Sequence, residues 1–305
     1  MLLLRKVRVI AGLPAHLLSV LADSARERRF RKGSVLLREG EPIEAIYYLV
    51  EGRVRVAFKG RDLGSVGRAA ALGSLGAIVR DDQGMDAVAE TEVLTLEHDI
   101  DTAFEILEDH FPILRHVLQG LCRQLIGSVV NGPVEPMSVP RMPEVPPIPA
   151  GNLDLVDRML VLRRAPPFTR SSLNALAELA RAMFDVRFEA GTRLWQVGEP
   201  SRVILLVVAG NVSCTPAGRP TFRTGPGWPL GALEALAGTP HWYEAVTDTP
   251  VSALSGDVET FFDVLEDNFG MAMDYLSTMG RAWIGALERV VDAHPQLLRE
   301  MLGGE

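Results

Sequence analysis

Residues able to carry bond-breaking chemistry are scattered along this 305-residue chain rather than grouped. The histidines are His16, His98, His110, His116, His241 and His294. No two of them have the i, i+4 spacing that puts two imidazoles on one helical face, and no nearby cysteine or carboxylate completes a metal set. There is no Gly-x-Ser-x-Gly elbow, no Gly-Lys-Ser/Thr phosphate loop and no kinase signature. Gly64-Ser65-Val66-Gly67 is glycine-rich, and a strand turn accounts for it. The acidic pairs Glu108-Asp109 and Glu266-Asp267 precede Phe111 and Phe269, where the start of a helix would favour carboxylates. They read as structural charges and not as a general acid–base pair. The expectation is therefore a protein without catalytic residues, metal ligands or cofactor.

Binding chemistry has better candidates. Leu72-Gly73-Ser74-Leu75 and Leu230-Gly231-Ala232-Leu233 each put a glycine before a short helix-forming run. The free backbone N–H groups of such a turn can meet an anion. Arg80 is the first cation after the first of these and the one candidate to reach it, followed by Asp81 and Asp82. Arg26, Arg28, Arg29, Arg31 and Lys32 form a basic cluster, read as a solvated face, and Arg163-Arg164 a smaller one. All basic residues but Lys6, Lys32 and Lys59 are arginine, which reads as genome composition. A net charge of −8 argues against broad nucleic-acid binding. No apolar run reaches the roughly 18–20 residues that cross a membrane. The N-terminal leucines precede the first charges, the reverse of a secretory signal, so a cytoplasmic location is expected. Cys122 and Cys214 are too far apart in the chain to suggest a disulfide framework or a zinc spacing.

What positions these turns is a repeat at a constant offset of 158. Phe30-Arg31-Lys32-Gly33 matches Phe188-Glu189-Ala190-Gly191, and Gly40-Glu41-Pro42 matches Gly198-Glu199-Pro200. Gly52 matches Gly210, Leu72-Gly73 matches Leu230-Gly231, and Phe104 through Phe111 matches Phe262 through Phe269. One fold is used twice. Between the copies, residues 131–151 carry Pro133, Pro136, Pro140, Pro143, Pro146, Pro147 and Pro149, a density that excludes helix and sheet interiors and reads as a semi-stiff linker. The expected organisation is a first domain over 1–130, this linker, and a second domain over 152–305.

Within each copy, Leu17, Leu18 and Leu21, or Leu173, Leu176 and Leu179 behind a Ser171 or Ser172 cap, predict an opening helix. Ala45–Val50, Val54–Phe58 and Val203–Val208 predict strands, with Gly52 and Gly210 in turns of positive φ between them. Phe111–Val130, with Leu114, Val117, Leu118, Leu121 and Leu125, predicts an amphipathic closing helix. Phe269–Val291, with Met273, Leu276, Trp283, Ile284, Leu287 and Val291, predicts its counterpart. A last short helix is expected from Pro295. Wide apolar faces on the closing helices suggest either packing on the same barrel or self-association.

This order (helix, Phe-x-x-Gly-x-x-Leu-x-x-x-Gly-Glu-Pro, apolar strand, Gly-x-Val, Leu-Gly turn, closing helix) resembles the cyclic-nucleotide-binding domain shared by catabolite-activator-type regulators and protein kinase A regulatory subunits. The resemblance implies an α+β fold: two β-roll or jelly-roll domains, each flanked by N- and C-terminal helices. It covers about residues 13–130 and 171–291, and the first copy, with Phe30, Gly33, Tyr47, Leu49, Glu51-Gly52 and Val54, is the closer. It also implies a ligand cassette: Gly-Glu opening a short helix, the glutamate on the ribose hydroxyl, and an arginine about ten residues on against the cyclic phosphate. Here Ser74 and Ala232 stand where that glutamate belongs. Gln83 or Gly84 and His241 or Trp242 stand near the arginine's place. Glu234, two positions on, is turned about 200° away on a helix. Each lost charged contact is worth roughly 1.5–3 kcal/mol, so affinity for cyclic nucleotide is expected to fall by on the order of 10²–10⁴. Trp242 and Tyr243 are expected to fill the second pocket with aromatic bulk. Too few residues follow Val291 for a helix-turn-helix, which disfavours a transcription factor. The expectation is a regulatory or scaffold protein working through protein partners or self-association. The alternative is a sensor of cyclic nucleotide or another small molecule, using Gly73, Ser74, Leu75 and Arg80; Gly231, Ala232 and Leu233 are the matching positions of the second copy.

Overall fold

The computed structural model describes residues 4–7, 10–79, 84–131 and 153–293. Arg80, Asp81, Asp82 and Gln83, the proline-rich segment after Asn131 and the helix expected from Pro295 lie outside the described residues.

The first copy opens with α1 (Ala15–Asp23), whose Leu17, Leu18 and Leu21 are buried as their spacing predicts. Eight strands follow, interrupted by one short helix: β1 (Arg26–Phe30), β2 (Val35–Leu37), β3 (Ala45–Glu51), β4 (Val54–Phe58), β5 (Arg61–Val66), β6 (Ala71–Leu72), α2 (Ser74–Val79), β7 (Met85–Ala89) and β8 (Val93–Asp99). Two helices close it, α3 (Ile100–Asp109) and α4 (Phe111–Asn131). The strands form two antiparallel four-stranded sheets, ordered β1-β8-β3-β6 and β2-β7-β4-β5. Alternating burial on β4 and β7 points one face of the second sheet at the core.

The second copy begins with α5 (Leu155–Arg164), held by a reciprocal Asp154–Asp157 capping box. Then come α6 (Leu173–Ala182), β9 (Phe184–Phe188), β10 (Arg193–Trp195), β11 (Val203–Ala209), β12 (Val212–Pro216), β13 (Phe222–Thr224), β14 (Pro229–Leu230), α7 (Ala232–Ala237), β15 (Tyr243–Thr247), β16 (Val251–Asp257), α8 (Val258–Asp267) and α9 (Phe269–Ala293). Ser172, not Ser171, caps α6, its Oγ accepting from the Ala175 N–H at 3.2 Å. The sheets repeat as β9-β16-β11-β14 and β10-β15-β12-β13. The repeat extends to register: Arg26 opposes Glu97 as Phe184 opposes Ser255, and the irregularity between Leu49 and Glu51 recurs between Val207 and Ala209. The fold is thus α+β, with paired antiparallel sheets flanked by helices.

Gly52 and Gly210 adopt the expected positive φ, +92° and +91°, and each joins strands of different sheets. A Cβ there would lie 2.3 Å from the carbonyl oxygen of Glu92 or Pro250, so the corner excludes any side chain. The pairs Glu108-Asp109 and Glu266-Asp267 end α3 and α8 instead of starting the next helix. His110 and Asn268, at φ −130° in both copies, break the chain between the two helices. The carboxylates that do cap helix N-termini are Asp99, which accepts from the Thr102 N–H at 2.9 Å, and Asp257, which accepts from the Glu259 N–H at 2.8 Å.

The basic cluster lies on exposed β1, with Arg28 paired to Glu97 at 3.0 Å. Both cysteines are free and buried. Among the described residues no helix is long and apolar enough to cross a membrane. Contacts gather the chain into two compact units, Met1–Gly120 with Gly280–Glu305, and Leu121–Met279.

The Gly210 corner gives a stability test. Gly210→Ala forces both the left-handed backbone and the carbonyl clash, and is expected to destabilise by about 3 kcal/mol in urea denaturation. Gly191→Ala has a similar φ, +80°, with open space around it, and is expected to lose only about 1 kcal/mol. Equal losses would show that the carbonyl contact is immaterial.

Candidate ligand-binding site

The two Leu-Gly turns reach equivalent places, each ending the short strand that pairs with β3 or β11. Gly73 (φ +82°) and Gly231 (φ +72°) turn the chain into α2 and α7. A side chain is excluded at each, because a Cβ would lie 2.6 Å from the Ala45 carbonyl oxygen or 2.9 Å from that of Val203. Ser74 and Leu75 begin α2 and are half-buried. Ala232, which begins α7, is buried and Leu233 is half-buried. Neither Ser74 nor Ala232 offers the carboxylate acceptor that the ribose contact needs.

In the second copy the turn is closed from above by aromatic side chains. Tyr243, on β15, accepts the Gly231 N–H at its hydroxyl, 3.2 Å away. The Trp195 and His241 rings stack at 4.1 Å and 8°, with the His241 Cε1 3.3 Å from a Cβ placed on Gly231. His241 is fixed through its backbone: its N–H donates to the Glu199 carbonyl at 2.9 Å, and its carbonyl accepts from the Gly198 N–H at 2.8 Å. The Gly-Glu-Pro turn thus holds the pocket's edge. Phe222 stacks on Trp242 at 5.8 Å, and Trp228 lies 6.5 Å from Phe222. Trp242 and Tyr243 fill this pocket as the sequence suggests. Trp195, Phe222 and Trp228 escaped the sequence reading, although the 158 offset carries a signal for them. Their counterparts in the first copy are Leu37, Gly64 and Ala70, and those of Trp242 and Tyr243 are Gly84 and Met85. The aromatic set belongs to the second copy alone.

Glu234 lies inside the second copy. Its side chain is buried with Oε1 bonded to no described group, and burial pushes its pKa up to about 7. Its own backbone N–H and the neighbouring Trp242 indole pull weakly the other way. Its charge in turn raises the pKa of Tyr243, already driven well up by burial. Burial holds the His241 imidazole down to about 4. An anionic ligand would therefore meet a neutral histidine and a buried carboxyl where the resemblance calls for an arginine.

Residues 27–110 match the family model for the cyclic nucleotide-binding domain. The matched stretch lies within the first copy. Solved structures similar to the chain include the regulatory subunit of a cAMP-independent protein kinase A from Trypanosoma cruzi bound to guanosine, 15% identical, TM-score 0.35, covering 98% of this chain and 89% of that one. The same subunit from Trypanosoma brucei is 16% identical, TM-score 0.34, covering 98% and 91%. The regulatory domain of Toxoplasma gondii PKA with cAMP is 16% identical, TM-score 0.34, covering 90% and 94%. No curated protein matches the chain. In the first copy Met85 has no hydroxyl to take the Gly73 N–H.

The buried Glu234 makes stability pH-dependent in a defined sense. Its carboxyl ionises near 4.5 in the unfolded chain and near 7 in the folded one, so it removes stability as pH rises between those values. Glu234→Gln lacks this loss. By urea denaturation its advantage over wild type is expected to be about 2–3 kcal/mol larger at pH 8 than at pH 5. His241 is common to both proteins and drops out of the difference. A gap that stays constant with pH would place the carboxyl in water.

Proposed function

We propose that this protein is a non-enzymatic regulatory or scaffold protein that acts through protein–protein contacts, and that its two cyclic-nucleotide-binding-like domains do not hold cyclic nucleotide in the usual way. The observation that carries this reading is the Tyr243 hydroxyl on the Gly231 N–H, beneath the stacked Trp195 and His241 rings. The amide that a cyclic phosphate would need in the second copy is already engaged, and a ligand would have to displace packed aromatic rings. Loss of the glutamate at Ser74 and Ala232 supports the same reading in both copies.

A surface suited to a protein partner lies on the second copy. Val156 and Leu160 on α5, Leu173 at the start of α6 and Phe184 at the start of β9 are 52–66% exposed. Arg158 ties α5 to β9, donating to the Met183 carbonyl at 2.7 Å and to Asp185 at 2.6 Å, so these apolar residues sit on neighbouring elements. Leu114, Leu118, Leu121 and Leu125 of α4 are buried within the chain, as are Met273, Leu276 and Trp283 of α9. The exposed face is therefore the better site for a protein partner, a second copy included, than the closing helices first suggested by their apolar stripes.

A second reading, a small-molecule sensor using the first pocket, is favoured by the small residues Gly64, Ala70 and Gly84 where the second copy is aromatic. Calorimetric titration of the intact chain with cyclic AMP, cyclic GMP and a cyclic dinucleotide separates the two. No heat at millimolar ligand is the expected result. Micromolar binding that is lost in Arg80→Ala would overturn the scaffold reading and establish the sensor. In parallel, Leu160→Glu with Phe184→Ser is expected to abolish partner capture or self-association while leaving the fold intact.

A further inference from the structure

The closing helices do not stay with the copies that begin them. α4 starts in the unit built on the first copy, and from Leu121 onward it belongs to the unit containing α7. α9 starts in the second copy, and from Gly280 onward it belongs to the unit containing α2. Each exchanged half ends up against a cassette helix. Arg123 on α4 donates from Nε to the Ala237 carbonyl, the last of α7, at 3.0 Å. Arg281 on α9 donates from a terminal guanidinium nitrogen to the Val79 carbonyl, the last of α2, at 3.4 Å. Arg123 and Arg281 are 158 positions apart, and so are Val79 and Ala237. The same bond is therefore made twice, in opposite directions, between one copy's closing helix and the other copy's cassette.

Neighbouring contacts follow the same rule. A Cβ on Gly280 would lie 2.7 Å from Val79 Cγ2 and 3.2 Å from Ile78 Cγ2, so α9 crosses α2 at backbone range. The matching position on α4 is Cys122, fully buried, whose thiol burial pushes up to about 12 with help from the charge of Glu234 on α7. Further along, Lys59 in the β4–β5 turn pairs with Glu288 of α9. In the equivalent β12–β13 turn Arg219 donates to the Val129 and Val130 carbonyls of α4. A six-residue helix leaves its last carbonyls without intrahelical donors. The Gly238 and Thr239 N–H groups bond back to Ala235 and Glu234, which leaves the Ala237 carbonyl to Arg123. The guanidinium brings both a fixed donor and the positive charge favoured at a helix C-terminus.

We infer that Arg123 and Arg281 are reciprocal positioning residues, each holding the cassette helix of the opposite copy from an exchanged closing helix, so that the two cassettes are coupled. A displacement of α7 pulls on α4, whose first half is packed in the other unit; a displacement of α2 pulls on α9 in the same way. Coupling of this kind is reciprocal by thermodynamic necessity. This goes beyond the scaffold reading and stands whether or not either pocket takes a ligand.

Hydrogen exchange on the intact chain tests it. Arg123→Met keeps the aliphatic stem and removes the donors. It is expected to speed exchange about five- to tenfold in 232–242 and also severalfold in 74–79, which residue 123 does not touch. Arg123→Lys, which keeps one donor and the charge, is expected to restore most of the protection in both segments. Arg281→Met is expected to give the mirror pattern. Faster exchange in 232–242 alone would reduce Arg123 to a local cap and overturn the coupling, and no change in 232–242 would overturn its positioning role. If a methionine variant does not fold, the two lysine variants and their double mutant give the same answer through urea midpoints. Non-additive shifts support the coupling, and additive shifts sink it.

Discussion

The architecture of both copies depends on one close approach, that of a left-handed glycine to the carbonyl of the strand beside it. At Gly231 the Val203 carbonyl would lie 2.9 Å from a Cβ, and at Gly73 the Ala45 carbonyl would lie 2.6 Å from one. Only glycine fits both the φ and the space. That approach sets where each short helix starts, and with it which N–H faces the pocket. It also sets where the last carbonyl of the helix emerges, six residues on. At one end of α7, Tyr243 meets the glycine amide; at the other, Arg123 meets the Ala237 carbonyl.

Two copies of one scaffold have diverged by filling in one and emptying the other. The second copy carries Trp195, Phe222, Trp228, Trp242 and Tyr243, and the first carries Leu37, Gly64, Ala70, Gly84 and Met85 at the same places. Aromatic packing brings large apolar area to a site that would otherwise be wet. It also buries Glu234 and His241, whose titration then moves in opposite directions for one reason: each is pushed towards its neutral form. A pocket arranged to keep its ionisable groups neutral is poorly suited to a cyclic phosphate. The first copy, which the family model matches, lacks this filling.

The exchange of closing helices gives the apolar stripes of α4 and α9 a purpose inside the chain. Leu114, Leu118, Leu121 and Leu125 of α4 and Met273, Leu276 and Trp283 of α9 are buried without a second molecule. The apolar surface that stays exposed is instead on α5, α6 and β9, where Leu173 and Phe184 stand at the places of Ala15 and Arg26 in the first copy. Divergence between the copies thus extends from the pocket to the surface proposed for partners.

By itself the sequence determined the repeat, its offset and the strand and helix order, because glycine turns and core periodicity are local constraints that survive duplication at fixed spacing. It also pointed to Trp242 and Tyr243 as pocket fillers. Tertiary structure alone decided the rest. Gly52 and Gly210 link different sheets because strand pairing is long-range, and nothing in the flanking residues says which neighbour a strand will choose. Glu108 and Glu266 end helices instead of starting them because the break falls at His110 and Asn268, one residue before each closing helix begins. Glu234 is buried because the aromatic cluster and α4 converge on α7 from distant parts of the chain. Nothing in the sequence sets Arg123 and Arg281 apart from the chain's other arginines. Only the crossing of those helices puts each beside a carbonyl 114 or 202 residues away, a distance over which sequence carries no record of contact.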